Sequence, residues 1–156
     1  MSTFIEELSL NAWPALQTVL HDGWVIRFAN GYTKRANSVN PLYPSAIDLD
    51  AKIRFCEGIY ENKKLPVVFK INSGASPDNL DTKLLANDYR KDSLTSVQVM
   101  ELETASVQIA GEVELQGDLS AGWLDNFCRM SAVAEPNRKT LRQILTHIIP
   151  CHCFVS

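Results

Sequence analysis

The spacing of apolar positions along the chain predicts helices interleaved with strands. Thr3-Phe-Ile-Glu6 has the form of a capping box and predicts a short helix after it. Asn11 can cap a second helix, with Pro14 tolerated in its first turn, running through Leu16, Val19 and Leu20 and stopping at Gly23. Trp24 to Ala29 reads as a strand, Asn30-Gly31 as a hairpin turn, and Lys34 to Val39 as the return strand. Ser45 opens a long helix whose Ile47, Ala51, Phe55, Ile59 and Tyr60 share one face and which ends at Lys63-Lys64. Leu65 to Ile71 is rich in β-branched residues and predicts a strand.

Further along, Ser76 and Pro77 open a helix through Leu80, Leu84 and Leu85. Leu94 to Leu102 and Ser106 to Leu115 read as strands. Ser120 caps a helix carrying Trp123, Leu124, Phe127 and Met130, and Asn137 to Ile149 forms another that Pro150 ends. Cys151 to Val155 begins as a strand with no pairing partner suggested by the sequence. The order predicts an α+β fold, a mixed β-sheet flanked by helices.

Composition narrows the class. A chain of 156 residues, 46% hydrophobic and 21% charged, is long enough for one domain with a core. No apolar run reaches the roughly 20 residues that cross a bilayer, and Met1 to Leu10 carries acidic rather than basic residues, so no membrane association or export signal is expected and the location is expected to be cytoplasmic. Cys56, Cys128, Cys151 and Cys153 are then expected as free thiols. The net charge of −3 argues against a nucleic-acid partner. Charge is nonetheless uneven. Glu101, Glu103, Glu112, Glu114, Asp118 and Asp125 fall in a stretch without Lys or Arg, which reads as a solvated acidic face.

Candidate chemistry is sparse. Arg35, Asn37, Ser38 and Asn40 make the expected return strand unusually polar, and Arg27 lies on the strand facing it. With strict alternation, Arg35 and Asn37 face one side, and Ser38 and Asn40 the other. Such a strand forms either a polar wall of a substrate cleft or an edge hydrogen-bond network. Cys151-His152-Cys153 lacks the second ligand pair of a structural zinc site, so no metal is expected. His21-Asp22 has no neighbouring nucleophile, and no phosphate-loop or dinucleotide fingerprint occurs, so no catalytic residue is identified.

Three stretches carry a family resemblance: Asp22 to Val39 (DGWVIRFANGYTKRANSV); Cys56 to Tyr60 with Leu65 to Ile71; and Leu80-Asp81 through Asp88-Tyr89 to Met100. Together they resemble the N-terminal half of a bacterial group of two-lobed N-acetyltransferases of the GNAT type. That resemblance implies a degenerate GNAT-like lobe over residues 1–150, with residues 151–156 beginning a second, catalytic lobe. It also implies acetyl-CoA as cofactor of the full-length parent and an amine as acceptor substrate; under the cleft-wall reading of the polar strand, Arg27, Arg35, Asn37, Ser38 and Asn40 are the substrate-binding candidates.

GNAT lobes hold the cofactor pyrophosphate on a glycine-rich turn between strand and helix. The corresponding junction here, Asn40 to Ile47, has no glycine, and its two prolines remove two N–H donors. No cofactor is therefore expected in this chain alone, which is expected to be inactive without the C-terminal lobe as its partner. Two other readings remain open at this level. One is a binding or regulatory module without catalysis; the other is a structural piece that forms a homodimer through surface left bare by a missing lobe.

Overall fold

The structure, a computed structural model, describes residues 2–100, 114–116, 119–149 and 153–155. Helix α1 spans Ser2–Ala12, strand β1 Gln17–His21, β2 Trp24–Phe28 and β3 Val39–Pro41. Helices α2 (Leu49–Asn62) and α3 (Leu80–Ala86) follow, then β4 (Glu114–Gln116), α4 (Ala121–Met130), α5 (Arg138–Thr146) and β5 (Cys153–Val155). Strands β1, β2 and β3 form an antiparallel sheet in that order, and β4 pairs antiparallel with β5. The architecture is α+β, as the order of elements predicts.

The central strand β2 is buried along its whole length. Trp24, Ile26 and Phe28 alternate onto one face and pack with Val39, Ile53, Cys56, Tyr60, Leu80 and Leu84 in the main core. On α2 the buried positions Lys52, Ile53, Cys56 and Tyr60 follow the helical repeat and turn one stripe to the sheet. Asp48 caps α2 by accepting from the Ala51 N–H at 3.0 Å, three residues beyond the expected start at Ser45. At the other end, α4 and α5 meet around Cys128, Leu141 and Leu145, and Ile144 joins Ala29 and Ala36. Ser120 caps α4 as predicted. Among the described residues, no helix is long and apolar enough to cross a membrane.

Several expectations are corrected. The helix expected after Asn11 is strand β1, paired residue for residue with β2 from Gln17↔Phe28 to His21↔Trp24. The turn between them is Asp22-Gly23, with φ of 43° and 81°; both residue types accept these positive angles. Gly23 therefore closes a hairpin and ends no helix.

The expected return strand at Lys34 is a 3-10 turn over Lys34–Ala36, and β3 begins only at Val39. Asn30-Gly31 does take positive φ, but Tyr32 hydrogen-bonds back to the Ala29 carbonyl at 2.9 Å and the chain coils before pairing. Leu65 to Ile71 contributes one parallel bridge, Val39↔Phe69, which gives the sheet its single parallel contact. Helix α3 starts at Leu80, beyond a cis Ser76–Pro77 peptide.

Residues 94–100 form no strand and lie exposed, Leu94, Val97, Val99 and Met100 included. Residues 101–102 and most of the expected strand over 106–115 lie outside the described residues, as do Cys151 and His152. The final strand does have a partner, since β5 pairs with β4.

Candidate functional site: the turns and polar layer around the sheet

The turn between β1 and β2 is fastened to the loop that leads into α2. The Gly23 carbonyl accepts from the Tyr43 N–H at 3.0 Å. The Asp22 carboxylate accepts from the N–H groups of Ala46, at 3.0 Å, and Ile47, at 2.8 Å. Lys52, fully buried, reaches up from α2. Its ammonium donates to the Asp22 carbonyl at 2.5 Å, lies 3.2 Å from the carboxylate, and sits 4.1 Å above the Trp24 ring.

The N–H groups of Ile47 and Ala46, and then the Lys52 ammonium, hold the Asp22 carboxyl below its ordinary value. Burial lowers the pKa of the Lys52 ammonium as well, and the Asp22 contact opposes that shift. Asp22 thus supplies a carboxylate to the very N–H groups that a pyrophosphate would need in this junction.

The depressed carboxyl has a pH consequence. Its contribution to stability is complete above the unfolded-state value of about 3.9 and is lost as pH falls through the lower folded-state value. Urea midpoints between about pH 3 and pH 6 should show a steeper acid fall for the native chain than for Asp22→Asn, with the two curves parallel above about pH 5. Parallel curves throughout would contradict this placement of the carboxylate.

The five substrate-binding candidates cluster around β2, β3 and the 3-10 turn, in two distinct settings. Arg27 is buried, and its guanidinium donates to the carbonyls of Arg35 at 2.8 Å, Leu10 at 3.1 Å, and Trp13. Burial lowers its pKa to about 10, so it remains charged at neutral pH. Asn37 is buried; its Oδ1 accepts from Ala29 N–H at 2.7 Å and Gly31 N–H at 3.0 Å, while its Nδ2 donates to Tyr32 O at 2.9 Å and Thr33 O at 2.8 Å. One amide thereby satisfies both arms of the 29–33 turn, a pattern expected of Asn in a turn.

Ser38 and Asn40 do share a face, as alternation predicts, and Asn40 Nδ2 donates to Ser38 O at 3.0 Å, Ser38 Oγ at 3.2 Å and Val25 O at 3.2 Å. The Asn40 Oδ1, fully buried, meets no partner among the described residues. Arg35 alone of the five is exposed. The alternation that would set Arg35 beside Asn37 is interrupted by the 3-10 turn, which folds the Asn37 amide inward.

Two residues that sequence reasoning left out complete this region. Tyr60 donates from its hydroxyl to the Arg27 carbonyl at 2.9 Å. Glu6, on α1, is buried and forms an ion pair with Lys70 at 2.5 Å. A buried Glu next to an apolar helical face is legible only once Lys70 is known to lie opposite. His21 stacks on Phe55 with ring centroids 3.9 Å apart, a surface packing contact. The Cys56 thiol is pushed up to about 12 by burial, which makes it a core group rather than a nucleophile.

Comparison with known proteins places the chain in an acetyltransferase class. It belongs to the family described as "Probable histone acetyltransferase Rv0428c C-terminal", whose model matches residues 4–145. A curated relative, the "Uncharacterized N-acetyltransferase YobR" of Bacillus subtilis (strain 168), is 28% identical over 157 residues, covering 96% of this chain. The chain spans 61% of that relative's length. No solved structure matches.

Proposed function

We propose that this chain is the acceptor-side lobe of a GNAT-type N-acetyltransferase, N-terminal in its parent, and that it does not hold acetyl-CoA alone. The observation that carries the second half is the Asp22 carboxylate on the Ala46 and Ile47 N–H groups. A pyrophosphate at that junction would meet a negative charge and two donors already engaged. Pro41 and Pro44 supply no N–H, and no glycine opens the loop from Asn40 to Ile47. The residues present do not fit the cofactor at this place. Family membership supports acetyl transfer in the parent, and the length left over in the relative leaves room for another region to bind acetyl-CoA and pass the acetyl group to an amine.

Within that reading the polar residues around β3 line the acceptor side. With α1 in place, Arg35 is the member of the set free to touch a substrate directly, since its side chain is exposed. Arg27 and Asn37 act as positioning residues that hold the turn. Titration of this chain with acetyl-CoA should give no heat of binding, whereas the longer relative should bind it. Micromolar binding by the chain alone would overturn the reading.

A further inference from the structure

Helix α1 lies across the face of the sheet opposite the main core, and it is held there in an unusual way. Among its described side chains only Glu6 is buried, while Phe4 and Leu8 are 60% and 48% exposed. Most surface helices are fastened by an apolar stripe. The named attachments of α1 are instead polar: the Glu6–Lys70 ion pair, a 2.7 Å hydrogen bond from the Tyr43 hydroxyl to Glu7, and the Arg27 guanidinium on the Leu10 carbonyl. Contacts of this kind exchange readily for contacts to water, and each contributes only on the order of 1 kcal/mol net.

The floor beneath α1 is polar as well. The chain runs parallel through the isolated bridge Val39↔Phe69, with the Lys70 N–H donating to the Val39 carbonyl at 2.9 Å, so Asn40 and Lys70 are the residues that follow the two bridge partners. Val39 and Phe69 pack into the core with Trp24, so Asn40 and Lys70 point to the opposite face, the one that carries Arg27 and Glu6. Asn40 there keeps an unsatisfied acceptor, Oδ1, in a fully buried position. An orphaned buried acceptor costs about 1–3 kcal/mol, and its persistence calls for a donor that belongs at the site. Glu6 is the one buried carboxylate among the described residues, and it leaves with the helix. What would remain is the Lys70 ammonium, the Arg27 guanidinium, the Ser38 hydroxyl and the Asn40 acceptor.

We infer that α1 is a detachable strap over a closed ligand site, and that its ligand is a small carboxylate bearing an adjacent ammonium or hydroxyl group. The carboxylate takes the place of Glu6 on Lys70, and the adjacent N–H or O–H donates to Asn40 Oδ1. This deepens the acceptor-side reading by naming a substrate class, an amino carboxylate, and rests on it. The test below involves no acetyl-CoA, so either idea can fail without the other.

Two measurements decide the matter. Hydrogen exchange should show the amides of residues 5–12 opening at least a hundredfold more readily than those of α2, and Glu6→Gln should speed them about tenfold while leaving α2 unchanged. Exchange of α1 and α2 at one common rate, unaffected by Glu6→Gln, would overturn the strap. Glycine, acetate and methylammonium are then titrated at millimolar concentrations while the Asn40 side-chain amide resonances are followed. Glycine should shift them, with an apparent Kd at least about fivefold lower in Glu6→Gln than in the native chain, because the apparent Kd is the intrinsic value divided by the open fraction. Acetate and methylammonium should each bind at least tenfold more weakly, and Lys70→Met added to Glu6→Gln should abolish the glycine response. Absence of a glycine shift in Glu6→Gln, or an undiminished one with Lys70→Met, would overturn the ligand assignment.

Discussion

Gly23→Ala is expected to cost about 3 kcal/mol or more, enough to lower the thermal midpoint by about 10 °C in a domain of this size. Two penalties combine. Gly23 has φ of 81°, a backbone conformation that a Cβ disfavours by roughly 1–2 kcal/mol. An added Cβ would also stand 2.6 Å from the Tyr43 carbonyl oxygen, and it would overlap the Pro44 carbonyl oxygen more severely still. Both obstacles are backbone, in a loop held by Asp22 and by the Gly23 carbonyl itself, so relief requires breaking the fastening between the β1–β2 turn and the approach to α2. Thermal or urea denaturation measures it. A loss below about 1 kcal/mol would mean that the loop yields, and that the turn is not clamped as described.

Asn37→Ala is the second large effect, expected at about 2–4 kcal/mol. It removes a side chain with four hydrogen bonds to backbone groups, at least one of them fully buried. The Ala29 N–H, buried just beyond the end of β2, would lose its acceptor. Arg35→Ala is the informative companion, because its exposed side chain should leave stability within about 0.5 kcal/mol of the native chain. If Arg35→Ala proved as destabilising as Asn37→Ala, the division of the polar set into positioning residues and a substrate-facing one would be wrong. In an acetylating parent, loss of Arg35 should raise the acceptor KM with kcat little changed, the signature of lost uniform binding.

The sequence made β2 and α2 legible because their patterns agree with their burial. The run Trp24 to Phe28 is apolar on both faces apart from Arg27, and both faces are covered. Helix α4 was equally clear, since Ser120 is a good cap and its apolar residues fall at helical spacing. Strand β1 was missed for a physical reason: Leu16, Val19 and Leu20 fit a helical face, whereas pairing with β2 is a tertiary contact that no local pattern encodes. The signal that could have found it was Asp22-Gly23, a hairpin dipeptide as strong as Asn30-Gly31, directly before a strand.

The same limit applies to Leu94 to Met100. Its β-branched composition predicts a strand, but without a neighbouring strand among the described residues its ladder groups find no partner and its apolar side chains stay exposed. For the candidate site, residue types were legible and their roles were not. Polar residues in a strand-like segment predicted a hydrogen-bond network or a cleft wall. Which residue serves which purpose depends on the 3-10 turn at Lys34–Ala36 and on α1 covering the far face. Asp22 acquires its meaning only from the fold, where it meets the N–H groups of a loop more than twenty positions later in the chain.

The most direct test of the central claim is isothermal titration of acetyl-CoA into this chain, with the full-length relative YobR titrated in parallel. The proposal predicts no heat from the chain, whose Ala46 and Ile47 donors are already bound to Asp22, and saturable binding by the longer protein. Saturable micromolar binding by the chain itself would contradict it and would place a working cofactor site within these 156 residues.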